Sequence, residues 1–190
     1  MQLQDERLIP ATLHQTWAAL NDPDVLKICI AGCEVLERTG SDAYTTVVAV
    51  KVGPVSARFK GNLQMTDVQA PNGYTINFEG QGGVAGFGKG TAVVKLLAVG
   101  GDTRLSYDAS AQVGGKIAQI GSRLIDSAAS KIAEDFFKAF EAHLRAHNTD
   151  HIAPAQPLAL SAMRGRRTAS WMLAAVAAGA AIAFAYWLMR

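Results

Sequence analysis

The chain has 190 residues, of which 49% are apolar and 18% charged, so it is long enough for one packed domain and too apolar to be disordered. Its net charge of +2 is uneven: residues 1–150 carry −2, whereas residues 151–190 carry four arginines and no acid. An acidic body lacks the basic face that nucleic-acid binding requires, and two cysteines are too few for a disulfide-scaffolded secreted fold. We therefore expect no nucleic-acid partner.

The C-terminal segment has the features of a membrane anchor. Residues 169–189 are 21 uncharged residues, about the length that a helix needs to cross a bilayer. Three arginines precede this segment and one follows it, a bias that places the preceding domain on the cytoplasmic side. A buried alanine-rich helix is the alternative. The sequence thus predicts a domain at 1–147, a proline-containing linker at 148–168 and a single C-terminal transmembrane helix at 169–189.

The body begins with a short alternating segment at 2–9, which predicts a strand. Leu13, Trp17 and Leu20 then recur at helical spacing, and Asp22 before Pro23 is typical of a second helix start, with an end near Gly32. From 33 to 111 the pattern has period two and is interrupted by glycine-containing turns. Six strands are predicted here, and seven in all, in an antiparallel sheet.

After Gly115 the apolar spacing becomes helical and predicts one helix that continues to about His147. A sheet with one polar face must bury its other face on another element, and this helix is the largest one available. The sequence therefore predicts an α+β fold in which an antiparallel sheet wraps around a long C-terminal helix.

Five blocks in chain order carry a resemblance to a known family. They are Trp17–Pro23, Leu26–Glu34, Val50–Val55 with Gly61 beyond it, the glycine run Gly80–Gly90, and Gly114–Ile125. Together they resemble the carbon monoxide dehydrogenase G-subunit (CoxG) family, of the START-like (helix-grip) superfamily, and the resemblance covers residues 1–147. It implies a non-catalytic accessory protein that recruits a carbon monoxide dehydrogenase-type molybdenum hydroxylase to the bacterial inner membrane, with its soluble domain in the cytoplasm.

The same resemblance implies a lipophilic ligand, such as a quinone, in the space between sheet and helix. Small side chains on the predicted inner face leave room there, although a filled core is the alternative. Tyr107 is expected to donate its hydroxyl to a quinone carbonyl. The candidate ligand-binding residues are Phe59, Leu63, Ile76, Phe78, Tyr107, Ile117, Ile120 and Leu124.

Lys116 and Arg123 lie in the family-like blocks and have no predicted structural role, so we expect them to bind the partner hydroxylase. Two other functions remain open: a START-like cyclase or hydratase, and a maturation chaperone of the hydroxylase. The cyclase would need ionisable groups that point inward, whereas the charged residues of the clearest strands fall on the outward phase.

No nucleophile–base pair or metal site is predicted. Cys29 and Cys33 are four residues apart at a helix end, but small buried side chains explain them better than a redox pair or half a metal site. His143, His147 and His151 also recur every four residues. They favour the C-terminus of a helix more than a metal, because imidazolium complements the helix dipole.

Overall fold

The fold is an antiparallel sheet packed on one long helix, seen in a computed structural model that describes residues 1–148. The seven strands lie side by side in the order β1-β7-β6-β5-β4-β3-β2. β2 to β7 form a meander, and β1 adds to its far edge beside β7. The strands are β1 (Gln2–Ile9), β2 (Cys33–Arg38), β3 (Ala43–Val52), β4 (Val55–Gln69), β5 (Gly73–Gln81), β6 (Phe87–Val99) and β7 (Asp102–Gly114).

Three α-helices and two 3-10 helices complete the described chain: α1 (Leu13–Leu20), α2 (Pro23–Cys29), α3 (Ser122–Asn148), and the 3-10 turns Gly83–Ala85 and Lys116–Ile120. Thr12 starts α1 with a capping box, since its hydroxyl accepts from the Gln15 backbone while the Gln15 side chain accepts from the Thr12 backbone. The carboxylate of Asp22 caps α2, as its position before Pro23 predicts.

The core lies between one face of the sheet and the C-terminal half of α3. Ile9, Leu105 and Phe140 are almost fully buried in its larger cluster, which α1 and α2 also join. A smaller cluster around Leu36 and Met65 lies towards β2. Trp17 packs against both clusters, so it joins the two parts of the core.

The predicted seven-stranded sheet and C-terminal helix are confirmed, but the predicted start of that helix is wrong. The helical spacing after Gly115 first forms the 3-10 turn Lys116–Ile120, and α3 begins only at Ser122. Gly121 separates the two with a φ of +96°, outside the helical region, and Gly115 has a φ of +84°. Apolar spacing does not register such a break, because the side-chain pattern continues across it.

Within residues 1–148, no helix combines the length and the apolar character that crossing a bilayer requires. The predicted linker, apart from Asn148, and the predicted transmembrane helix at 169–189 lie outside the described residues.

Candidate functional site: an apolar cavity between sheet and helix

A cavity of about 480 Å³ lies between the inner face of the sheet and α3. Its wall takes residues from all seven strands and from α1 and α2, so the sheet curves around the space. The helix contributes Ala129, Ile132, Ala133, Phe136 and Phe137. From the central strands come Leu63, Met65, Ile76, Phe78, Ala92 and Val94. The wall is thus hydrocarbon over most of its area.

Strand register explains why these side chains share one face. Met65 pairs with Ile76 and Ile76 with Ala92, so the three form one rung across β4, β5 and β6. Phe78 pairs with Gly90 in the next rung, and a Cβ at Gly90 would lie 2.6 Å from the Phe78 ring. Glycine therefore lets this ring lie across β6. The small Gly90 and Ala92 keep space open in the middle of the sheet.

The cavity opens beside Ile132. This side chain lines the wall yet is 44% exposed, so solvent reaches the wall at that position. Further along α3, towards its C-terminus, Phe137 is only 6% exposed. The C-terminal part of the helix therefore closes the cavity, and the opening lies towards its N-terminal part.

Three tyrosines bring polar atoms to the wall. The Tyr44 hydroxyl accepts a hydrogen bond of 2.7 Å from Arg38. Burial raises the pKa of Tyr74, and nearby Tyr44 adds to that rise. Tyr107 stacks on Phe137 with 5.4 Å between ring centroids, and its hydroxyl makes no hydrogen bond to residues 1–148. Burial is the main cause that raises the pKa of Tyr107, followed by the Asp5 carboxylate, while Arg7 opposes both.

The structure brings four of the eight predicted ligand residues into the wall: Leu63, Ile76, Phe78 and Tyr107. The other four lie elsewhere. The Phe59 ring lies over Gly82, where an added Cβ would be 2.6 Å from it. Ile117 and Ile120 belong to the 3-10 turn before the helix break, and Leu124, 52% exposed, lies in the first turn of α3 beside Gly53.

Lys116 and Arg123, the predicted partner-binding residues, are both exposed. The side chain of neither forms an ion pair or hydrogen bond with any other residue from 1 to 148. Arg123 lies in the first turn of α3, where a cation opposes the helix dipole. No contact within the described chain therefore accounts for either charge.

Sequence reasoning missed two charged residues on the inner face of β1, Asp5 and Arg7. Asp5 pairs directly with Tyr107 in the β1–β7 register, and Arg7 pairs with Leu105. The period-two pattern of β1 contains the signal, since Leu3, Asp5, Arg7 and Ile9 fall on one phase. Leu8 on the opposite phase is also apolar but 56% exposed, so the phase became clear only from the pairing.

The cysteines and histidines are placed as small core residues and as a helix end. Cys29 is buried, which raises the pKa of its thiol, and the Cys33 thiol donates to the Val35 carbonyl. His143 and His147 stack near the C-terminus of α3, with ring centroids 4.1 Å apart, and His151 lies outside the described residues. Nowhere in residues 1–148 do three or more potential metal ligands come together.

A curved antiparallel sheet that holds an apolar cavity against a C-terminal helix defines a START-like fold. Consistent with this, a START superfamily protein from Mycobacterium smegmatis superposes with a TM-score of 0.60 at 13% identity, over 77% of this chain and 98% of that one. The ZhuI aromatase/cyclase from Streptomyces sp. R1128 gives 0.56 at 10% identity, over 78% and 95%. Both likenesses concern the fold alone.

The family follows from the sequence match. The model of the carbon monoxide dehydrogenase G-subunit family (CoxG) matches residues 6–145, and the chain belongs to this family. A conserved protein from Geobacillus kaustophilus is 31% identical, with a TM-score of 0.73, over 77% of this chain and 96% of that one. Comparison with curated proteins gives no significant match.

Proposed function

We propose that this protein is a membrane-anchored, non-catalytic accessory protein of the bacterial inner membrane. It binds a lipophilic ligand such as a quinone and recruits a carbon monoxide dehydrogenase-type molybdenum hydroxylase to the cytoplasmic face. The observation that carries the proposal is the apolar cavity of about 480 Å³ in a chain of the CoxG family. Binding sites for small molecules have volumes of about 300–1,000 Å³, so a ligand of moderate size fits.

The energetics suit a carrier that exchanges its ligand with a bilayer. Removal of apolar surface from water stabilises a complex by about 25 cal/mol per Å². A chain that is already in a membrane has left water, so its transfer into a hydrocarbon-lined cavity is close to balance. Binding is then reversible, and the opening beside Ile132 provides a route into the cavity.

Two features support an accessory role over an enzymatic one. The side chains that line the cavity are apolar or tyrosine, whereas hydrolytic or cyclising chemistry uses groups that titrate near neutral pH. Burial moves the pKa of Tyr74 and Tyr107 upwards, further from that range.

Lipid extraction tests ligand binding. Protein purified from membranes in a mild detergent should yield quinone or another lipid in stoichiometric amount on organic extraction. Added quinone should also raise the melting temperature of emptied protein, because a ligand that binds only the folded state stabilises it. A lipid-free extract together with an unchanged melting temperature would leave only the recruiting role.

Charge reversal tests recruitment. We expect the double variant Lys116→Glu/Arg123→Glu to reduce co-sedimentation of the hydroxylase with membranes, since both charges are free to bind a partner. The melting temperature should not change, because exposed unpaired charges contribute little to stability. Lys60→Glu/Lys95→Glu is the matched control, with the same charge change at exposed positions of the outer sheet face. Equal co-sedimentation of both variants and the wild type would count against these residues.

Deletion tests the anchor. Removal of residues 168–190 should move the protein from the membrane pellet to the soluble fraction, since the predicted span is thereby lost. Retention of the shortened protein in washed membranes would contradict a tail anchor.

A further inference from the structure

One ion pair faces the same side of the sheet as the cavity. The Nε of Arg7 donates to Oδ2 of Asp5 over 2.8 Å, and both side chains are partly buried, with 29% and 40% of their surfaces exposed. The backbone N–H of Glu6 donates to the other Asp5 oxygen. Both carboxylate oxygens are therefore engaged, and the pair is held in a defined position on β1.

This pair adjoins the cavity wall through two aromatic residues. Asp5 pairs directly with Tyr107, and the guanidinium carbon of Arg7 lies 4.9 Å from the centre of the Phe137 ring. Tyr107 and Phe137 stack on each other and both line the cavity. The only charged residues that the inner face of β1 carries thus border one end of an apolar space.

The donors at this end exceed the acceptors. A guanidinium has five N–H donors, and that of Arg7 makes no hydrogen bond to residues 1–148 other than the one from Nε. The Tyr107 hydroxyl is also unpaired within these residues. Partly buried donors gain most from an acceptor oxygen that approaches from the cavity.

The charge of the pair selects the kind of acceptor. Asp5 neutralises Arg7, so the site has no net charge to offset a buried anion. A carboxylate would lose its hydration beside the Asp5 carboxylate, whereas a carbonyl oxygen accepts the same hydrogen bonds at a lower desolvation cost.

We propose that Arg7, held by Asp5, and Tyr107 form a polar anchor that binds a neutral carbonyl oxygen at the end of an otherwise hydrocarbon ligand. The anchor rests on the proposed function in that the cavity must take a lipophilic ligand. It adds a specificity: the class is a neutral carbonyl-bearing amphiphile, such as a quinone, and not a fatty acid. Arg7 and Asp5 position and recognise the ligand and take part in no bond-making step.

The experiment uses the full chain in one mild detergent and three probes with alkyl chains of ten to twelve carbons. Decylubiquinone carries neutral carbonyls, laurate carries a carboxylate, and dodecylbenzene lacks a polar head. Dissociation constants are measured by titration with native mass spectrometry. The wild type should bind decylubiquinone more tightly than laurate.

Two variants remove the anchor in different ways. Asp5→Asn/Arg7→Met removes the charged pair without leaving one charge alone, and Tyr107→Phe removes a single oxygen while keeping the ring on Phe137. Each should weaken decylubiquinone binding about tenfold, as expected for the loss of one good hydrogen bond, and leave dodecylbenzene binding unchanged. If the double variant unfolds, Tyr107→Phe still decides.

The matched control is the other ion pair between the same two strands. Arg104 pairs with Glu6 over 3.3 Å on the opposite face of the sheet, so Glu6→Gln/Arg104→Met makes the same kind of chemical change away from the cavity. This control should bind all three probes as the wild type does.

The outcomes separate the anchor from the proposed function. Binding of decylubiquinone and dodecylbenzene that neither variant alters would overturn the anchor and leave the lipophilic cavity intact. Tighter binding of laurate, lost in the arginine variant, would overturn the assignment of a neutral head. If the wild type binds neither decylubiquinone nor dodecylbenzene, the ligand-binding function fails and the anchor fails with it.

Discussion

The two halves of α3 carry similar apolar spacing but have opposite environments. In the C-terminal half, Phe140 is 0% exposed and Leu144 5% exposed, within the larger core cluster. In the N-terminal half, Leu124 is 52% exposed and Ile132 44% exposed. The C-terminal half meets α1, α2 and β1, whereas part of the N-terminal half lies over the cavity.

The contrast gives one helix two roles. Its C-terminal half holds the domain together, because packed side chains there exclude solvent on every side. Its N-terminal half covers the cavity with fewer buried contacts, and segments with few such contacts open locally at a lower free energy. The cavity can therefore exchange its contents without loss of the core.

The greatest expected change separates the two halves by stability. Phe140→Ala should lower the free energy of unfolding by about 3–5 kcal/mol, because it leaves a cavity in a fully packed cluster. Leu124→Ala, the comparison variant, should cost less than about 1 kcal/mol, since half of that side chain is already in water. Urea unfolding of the full chain in mild detergent measures both. Equal losses would show that the N-terminal half belongs to the core.

A second prediction separates two adjacent positions of the N-terminal half by ligand binding. Ala129 lines the cavity and Ala128 does not, although both are half-buried. Ala129→Phe should fill the space and reduce the quinone content of purified protein about tenfold, because a packed interior has no spare volume for both groups. Ala128→Phe should keep the ligand. Ligand loss in both variants would indicate a general effect on the helix.

A weaker effect concerns the last turns of α3 and depends on pH. Burial lowers the pKa of His143, stacked His147 lowers it further, and Asp22 opposes them. The unfolded chain, with a histidine pKa of about 6.5, then binds more protons than the folded chain between the two values, so stability rises with pH through this window. Stability is lost as the pH falls below the unfolded-state pKa towards the lowered folded-state value.

His143→Gln should flatten this slope in urea midpoints measured from about pH 5 to 8. The comparison at the upper end of this range gives the cost of the substitution itself, because the imidazole is neutral there in both states. An unchanged slope would assign the pH dependence to other groups.

Much of the fold could be predicted because it depends on neighbours in the chain. Alternation such as that of Val55 to Met65 marks a strand with one buried face, and Asp22 before Pro23 marks a helix start. Glycine-containing turns at Gly53 and Gly100 separate the strands, and each has a positive φ in the structure. These signals act over a few residues, so the sequence carries them directly.

The amino-acid sequence alone was therefore enough for the strands, the three helices and the family. Long-range packing was needed to show that Gly121 breaks the last helical segment, that Leu63 and Tyr107 line the cavity while Phe59 covers Gly82, and that Asp5 and Arg7 face inward. A cavity is the volume that packing leaves unfilled. Its wall depends on strand register and on the position of α3 against residues distant in the chain, and no local pattern encodes either.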